Sequence, residues 1–487
     1  MSDKLEKNGV LSRGDSLESE SEQYTFTLQD DGNLVLYKDG QEQALWASGT
    51  AEIEVEKCVL QEDGNFVIYD SENQPVWATQ TAGHNLGYLI IQDDGNAVIY
   101  NDQGKAIWAT QTASSVGIND NPATWMESEW DYIGNKQLWQ VTLPGTHDSG
   151  AYNLSKERVP SECRDAPGIL GGGTVKPFAE AQEDDFAGQL NGGIRYFDLR
   201  LWHRQAKDPD GNIWINNFHA YHDCVGAEIS DILNQIKSFM EKVKKELVII
   251  NVSHFCQFYH SSHALLISNI DDIIGNYLYK EDNSNLLQTE ISDYVASGPR
   301  VLLIYADPYI SNNPQAGFWK EDDLKMNGTY ANTSNFDTMR ADQLNKLKQN
   351  PGNSESLFLL SWTLTITDFD DSFVWGSLKR LSHNANHSLA PFVKEYGGQY
   401  QINILYVDFY ADAGVTNLAI LMNRGLYDQI PVAGDDEHLD LTQPKPSGSS
   451  IGGPRINRLS GEIEVEQDEE EETPEEEEET PEEEEER

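Results

Sequence analysis

One nine-residue phrase is written three times near the start of the chain. It reads QDDGNLVLY at 29–37, QEDGNFVIY at 61–69 and QDDGNAVIY at 92–100. The glutamines that open it are 32 and 31 residues apart, and Trp46, Trp77 and Trp108 recur every 31 residues. A unit of this length holds only two or three short strands, rich in Val, Ile and Tyr and broken at Asp-Gly and Asn-Gln turns. Such a unit cannot bury a core alone. Three can, if three sheets share one axis and the tryptophans fill the middle. The repeat therefore predicts a small all-β domain over residues 5–115, with three copies of whatever the phrase does.

Strand-and-turn chemistry accounts for the glycine and the valine of the phrase. It does not account for Gln, Asp, Asn and Tyr at fixed offsets. Together these supply acceptors, amide donors and a hydroxyl, with a valine to meet ring carbons. That set suits the adjacent hydroxyls of an uncharged pyranose. The pattern QxDxNxVxY in three copies resembles the bulb-type mannose-binding lectins, a β-prism family. The resemblance implies mannose-containing glycans as ligands. The sugar-contacting positions it implies are Gln29, Asp31, Asn33 and Tyr37; Gln61, Asp63, Asn65 and Tyr69; and Gln92, Asp94, Asn96 and Tyr100. The plainer alternative is a repeated scaffold with no sugar site.

A polar connector follows, with a linker expected at 116–124, and the pattern then changes. Apolar strands alternate with helical stretches: VTLPGTH, GIRYFDLRLW, INNFHAYHD, ELVIINVSHF, RVLLIYAD, SLFLLSWTLT and QINILYVDFY. In SDILNQIKSFMEKVKK the apolar residues fall at helical spacing. Strand-helix alternation implies a parallel sheet, and residues 125–435 suit a TIM-type α/β barrel. Seven strands are evident. The eighth is expected in the gap after SLFLLSWTLT.

In such barrels chemistry sits where strands end. His147, Asp148, Asp198, Arg200, His219, His222 and Asp408 all fall there. Two imidazoles and a guanidinium suit a phosphodiester. One imidazole accepts a proton from the nucleophile, another protonates the leaving oxygen, and the cation offsets charge on phosphorus. LPGTHDSG, GIRYFDLR and the ELVIINVSHF strand are similar to the X-domain of phosphatidylinositol-specific phospholipases C. That resemblance implies His147 as general base, Asp148 and Asp198 as its neighbours, Arg200 as the phosphate-binding cation and His222 as general acid. His219 is the rival for the acid. Asp408 is expected to orient His147. Arg200 stands where the calcium-dependent branch has a carboxylate ligand, so no metal and no other cofactor is expected.

The formal charge of −48 argues against nucleic-acid binding. Residues 461–487 hold 18 acids and one Arg, yet about −31 remains on the rest, a surface that repels nucleic acid. The tail, 436–487, has no apolar period and is expected to be disordered. No apolar run reaches the eighteen or so residues of a membrane span, and MSDKLEKNGVLSRGDS shows no signal peptide. A soluble cytoplasmic or non-classically secreted protein is expected. Four cysteines without a CxxC pair argue against a disulfide framework. The expected architecture is multidomain: a three-fold β-prism, a TIM-type barrel and an acidic tail. The expected function is mannose binding joined to cleavage of phosphatidylinositol or a related inositol phospholipid at a membrane surface. The alternative is a mannose-binding lectin with an inert or non-lipid phosphodiesterase barrel.

Overall fold

The computed structural model describes residues 2–430 apart from 40–43, 52, 80, 85, 94, 111, 113–120, 165–171, 208–212, 282–284 and 367–376. Asp94, most of the expected linker and the expected tail lie outside the described residues, as does part of the gap assigned to an eighth strand. The described residues fall within one compact unit, Met1–Leu439.

The repeats fold as three four-stranded antiparallel sheets. Each phrase bends at Asp-Gly. Gly32, Gly64 and Gly95 have φ of +89°, +95° and +84°, which a side chain would resist. The second half of each phrase then runs into Leu34–Lys38, Phe66–Asp70 or Ala97–Asn101. The first eighteen residues visit all three sheets in reverse order. Lys4–Glu6 pairs with the third repeat, Val10–Ser12 with the second and Ser16–Glu18 with the first. Phe26, Leu34, Phe66 and Ile99 are among the residues of the shared core. The three indoles meet edge to face, with centroids 5.6, 5.7 and 6.1 Å apart.

Among the described residues, a further sheet of ten strands has eight parallel strands along its path. In order across it they are Phe318–Trp319, Arg300–Tyr305, Leu247–Cys256, Tyr196–Lys207, Leu143–Thr146, Ile404–Val407, Leu357–Trp362 and Met326–Asn327. Two expectations change here. INNFHAYHD lies in Ile213–His222, which turns back antiparallel on Tyr196–Lys207 as a hairpin outside the parallel set. The two strands that make up eight are two-residue segments between RVLLIYAD and SLFLLSW, too short to carry an alternating apolar signal. Among the described residues no ladder joins Phe318–Trp319 to Met326–Asn327, so the curled sheet is open there.

Side-chain parity along the parallel strands divides the core in two. Leu143, Tyr196, Ile249, Ile404 and Tyr406 share one cluster. Phe197, Leu199, Ile250, Leu405 and Val407 share another, with helical residues such as Ile232, Ile236 and Leu266. Continuing the first parity past the ends of the apolar runs brings in His147, Asp198, Arg200, Ser253 and Asp408. Polar residues thus gather on one face because the strands keep their register.

At the opposite end of Tyr196–Lys207, Arg195 is fully buried. Its Nε and Nη2 donate to Glu246 Oε2 at 2.9 and 2.8 Å, and its remaining donors reach the carbonyls of Leu190, Ile194 and Ala123. Cys163 and Cys256 are joined by a disulfide across 93 residues. The spacing of the four cysteines argued only against a dense framework; this single bond depends on the fold bringing the two Cα atoms to 5.8 Å and leaves no trace in spacing. Arg195→Met should destabilise the fold by about 3–5 kcal/mol by stranding the Glu246 charge. In urea melts, Arg195→Met/Glu246→Leu should recover most of that loss. A double variant as unstable as the single would mean that the carbonyl contacts, and not the ion pair, carry the effect.

Candidate functional site

At the ends of the parallel strands one carboxylate is shared by three side chains. Asp148 follows the Leu143–Thr146 strand and is 2% exposed, with its φ at +42°. Its Oδ1 pairs with Arg200 Nε, and its Oδ2 lies 3.2 Å from His147 Nε2 and 3.5 Å from His222 Nε2. Burial works against its charge, but Arg200, followed by His147 and His222, holds it well below the usual carboxylate range.

Each imidazole is fixed from behind. His147 Nδ1 is 2.7 Å from Asp408 Oδ1, which sets its Nε2 toward Asp148 and Arg200 Nη2, the latter at 3.4 Å. His222 Nδ1 donates to the Ala179 carbonyl at 2.7 Å, which leaves its Nε2 facing the same carboxylate. Burial lowers the affinity of His147 for a proton. Asp148 and Asp408 outweigh it and raise the imidazole to about 9. Asp198 accepts from Ser253 Oγ at 2.5 Å and Tyr406 Oη at 2.6 Å, and its Oδ2 is 3.4 Å from the Asp148 amide. Burial and the Asp198 charge push Tyr406 well up, so it remains a donor.

The structure thus brings together His147, Asp148, Asp198, Arg200, His222 and Asp408. His219 is held apart. Its Nδ1 is 3.1 Å from the Gly226 carbonyl on the hairpin, and its ring packs against Trp202 at 6.3 Å. Strain gathers at the same place. Asp148, Asp223 and Phe409 are non-glycine residues at φ of 42°, 56° and 49°, and Asp223 and Phe409 directly follow His222 and Asp408. Sequence reasoning did not find Ser253, Tyr406 or Gln182, whose Nε2 donates to the His147 and Val407 carbonyls at 2.9 and 3.1 Å. Strand parity from Asn251 and Ile404 could have found the first two; no local signal marks Gln182. His147, Asp148 and Asp198 are close enough to share a cation, with ligand atoms within 4.8 Å of one another, but the Arg200 guanidinium already sits on Asp148.

In the repeats, Gln29, Gln61 and Gln92 donate through Nε2 to the hydroxyls of Tyr37, Tyr69 and Tyr100 at 3.1, 2.7 and 3.1 Å. Asp31 and Asp63 are exposed and accept from the amides of Asn33 and Asn65. The asparagines are tied more deeply. Asn33, Asn65 and Asn96 accept through Oδ1 from Ser48, Thr79 and Thr110 at 3.1, 3.1 and 3.0 Å. Thr50, Thr81 and Thr112 hydroxyls then close onto the carbonyls of Gly32, Gly64 and Gly95. The signal for this scaffold was in the chain as WASGT, WATQT and WATQT. The motif valines are packed in, with Val35, Val67 and Val98 exposing 1%, 3% and 3%.

Residues 174–303 match the family model of the phosphatidylinositol-specific phospholipase C X domain. That match begins after His147 and Asp148. PI-PLC X domain-containing protein 3 of Bos taurus is 30% identical over 173 residues, 34% of this chain and 52% of that protein. The chain spans about half the length of the curated relatives it matches. Two solved structures are also similar. A phosphatidylinositol-specific phospholipase C from Listeria monocytogenes is 21% identical, covering 61% of this chain and 98% of its own, with a TM-score of 0.45. A monomeric monocot mannose-binding lectin from Gastrodia elata is 43% identical, covering 22% of this chain and 96% of its own, with a TM-score of 0.20.

Because Asp408 raises His147, removing its charge should lower that imidazole. In a proton-detected histidine titration, the His147 midpoint should move from about 9 toward acid in Asp408→Asn. A midpoint that stays in place would deny the pairing. A raised folded-state value also stabilises the fold. That contribution is fully present below about pH 6.5 and is lost as pH rises through about 9.

Proposed function

We propose that this chain is a lectin-targeted phosphodiesterase that cleaves phosphatidylinositol or a related inositol phospholipid. In this reading, residues 5–115 form a three-sided prism that binds mannose-containing glycans. Residues 116–124 connect it to a phospholipase C-like barrel over 125–435, and 436–487 is a solvated acidic tail. The observation that carries the catalytic half is the shared Asp148, which gathers Arg200, His147 and His222 on one face at the strand ends.

Inositol carries a hydroxyl cis to its phosphodiester, so attack is intramolecular and gains a large effective molarity. His147 Nε2 accepts the hydroxyl proton, with its Nδ1–H held on Asp408. The hydroxyl oxygen bonds to phosphorus while Arg200 holds the non-bridging oxygens. The bond to the diacylglycerol oxygen breaks as His222 Nε2 protonates it. The products are a cyclic inositol phosphate and diacylglycerol. Arg200 fills the place a metal takes in the calcium-dependent branch, so added calcium should leave the rate unchanged.

Phosphorus NMR of phosphatidylinositol vesicles with the purified chain tests the route. The cyclic phosphate should appear first. His147→Ala or His222→Ala should each cost about a hundredfold or more in rate, and His219→Ala little. An acyclic monophosphate appearing first would remove the intramolecular step, and a severe His219→Ala beside a mild His222→Ala would move the acid. One observation favours the alternative of an inert barrel. With a value of about 9, His147 is a cation at neutral pH in the resting site, and a cation is no base. Absence of any product across the alkaline range would decide for that reading.

The glycan half rests on the three Gln–Tyr pairs and, in the first two repeats, the exposed Asp31 and Asp63 beside them. Weak sites of this kind become useful through multivalency. Immobilised mannose should retain the protein and methyl mannoside should elute it. Replacing Gln29, Gln61 and Gln92 together by Ala should abolish retention with little change in melting. Replacing the three asparagines would be less informative, since their carbonyls pin the turns. Undiminished retention by the glutamine triple variant would place the sites elsewhere.

A further inference from the structure

A second histidine cluster lies away from the strand-end site, beneath the tryptophans of the repeats. His383 sits in the Leu378–Asn386 helix and His387 caps its C-terminus. Their spacing of four residues puts both rings on one side. Their Nε2 atoms are 3.2 Å apart, with the ring centroids 4.3 Å apart and the rings nearly perpendicular. Asp412, in Tyr410–Ala413, closes the group. Its Oδ2 is 2.7 Å from His383 Nδ1, and its Oδ1 is 4.0 Å from His387 Nε2. The three side chains keep only 11%, 13% and 16% exposure for His383, His387 and Asp412.

We propose that His383, His387 and Asp412 form a zinc site. A proton on His383 Nδ1, donated to Asp412 Oδ2, leaves the His383 Nε2 lone pair aimed at His387 Nε2. Two nitrogens bound to tetrahedral zinc at about 2.05 Å stand about 3.3 Å apart, close to the separation seen here. Asp412 fixes the tautomer of His383 through Oδ2 in the metal-free site, and its Oδ1, 4.0 Å from His387 Nε2, becomes the oxygen ligand when the carboxylate turns onto the ion. The residual exposure leaves room for water as fourth ligand. Two imidazoles and a carboxylate suit zinc better than calcium or magnesium, which take oxygen donors. Without metal, the two imidazoles hold each other by one N–H···N bond, so zinc needs the His387 proton to move to Nδ1 and the Asp412 carboxylate to turn toward the ion. Lys379, on the same helix, is engaged elsewhere. It pairs with Glu183 and donates to the carbonyls of Gly49 at 3.2 Å and Ser48 at 3.5 Å.

The position gives the ion work to do. Trp77 packs against the His383 ring at 5.7 Å and Trp108 against the His387 ring at 6.0 Å. Between the histidines, Asn386 donates through Nδ2 to the Asp408 carbonyl at 2.9 Å and to that of Phe409 at 3.3 Å. Zinc would therefore clamp the helix that meets the repeats to the segment that carries Asp408, the partner of His147.

Chelator-treated, dialysed full-length protein titrated with zinc should bind one ion per chain, by calorimetry and by elemental analysis after desalting, and melt at higher temperature with it. Cobalt in place of zinc should give the visible absorption of a tetrahedral nitrogen and oxygen site, abolished by added zinc. His383→Ala/His387→Ala should weaken binding about a hundredfold or more, whereas His147→Ala should leave it unchanged. Failure of the wild-type chain to take up either metal would overturn the proposal without touching the phosphodiesterase reading. So would zinc binding that survives the double variant or that disappears in His147→Ala. If the double variant does not fold, the cobalt spectrum of the wild-type chain and the His147→Ala stoichiometry decide alone.

Discussion

The strand-end site is organised by the burial of a single negative charge. Asp148 is 2% exposed and paired with an arginine and two imidazoles. A carboxylate so far from water is tolerable only while those partners stay in place. Arg200 comes from one strand, His222 from the end of the hairpin beside it and His147 from the residue just before. Holding all three within reach of one carboxylate demands that Leu143–Thr146 and Tyr196–Lys207 keep their register, Gly145 opposite Tyr196. A slip of one residue would turn Asp198 and Arg200 to the helix side and bring Leu199 to the site. The charge and the register specify each other, and the buried Arg195–Glu246 pair fixes the same strand from its other end.

How much of this was legible depends on whether the information was periodic. The repeat announced itself because three identical solutions to one packing problem must share a spacing. The parallel strands announced themselves as apolar runs, and of the polar residues singled out at their ends the fold collected all but His219. Ile213–His222 was read as a member of the parallel set because an apolar stretch does not declare its direction. The strands at Phe318–Trp319 and Met326–Asn327 were missed because two residues have no period. The Cys163–Cys256 bond and the Arg195–Glu246 pair are long-range pairings, invisible until topology brings their ends together.

The asparagines of the repeated phrase show a different limit. A residue that recurs at a fixed offset beside a proposed ligand site invites a ligand role, and Asn33, Asn65 and Asn96 had the donors and acceptors for it. Their carbonyls are spent on Ser48, Thr79 and Thr110, so recurrence here records a scaffold as much as a site. The glutamines and tyrosines differ, since they are bonded to one another and stand in the partly exposed layer. A sugar hydroxyl can replace or join a bond between two such side chains at small cost. It cannot replace a bond that shapes the turn.

The contact between the repeats and the barrel then decides how the proposed functions can cooperate. Two binding modules on a flexible linker gain only an effective concentration, because each searches its surroundings independently. Here the indoles of Trp77 and Trp108 lie against His383 and His387, and Lys379 reaches the Ser48 and Gly49 carbonyls. Those contacts hold the repeats in one orientation relative to the strand ends. A glycan held by the repeats would present the barrel mouth to the surface at a fixed height and angle, and only glycans at a matching distance from lipid would permit catalysis. On the proposed reading, such rigid coupling would add a geometric selection beyond affinity for the glycan. The histidine cluster lies at that junction, and Asn386 beside it donates to the Asp408 carbonyl.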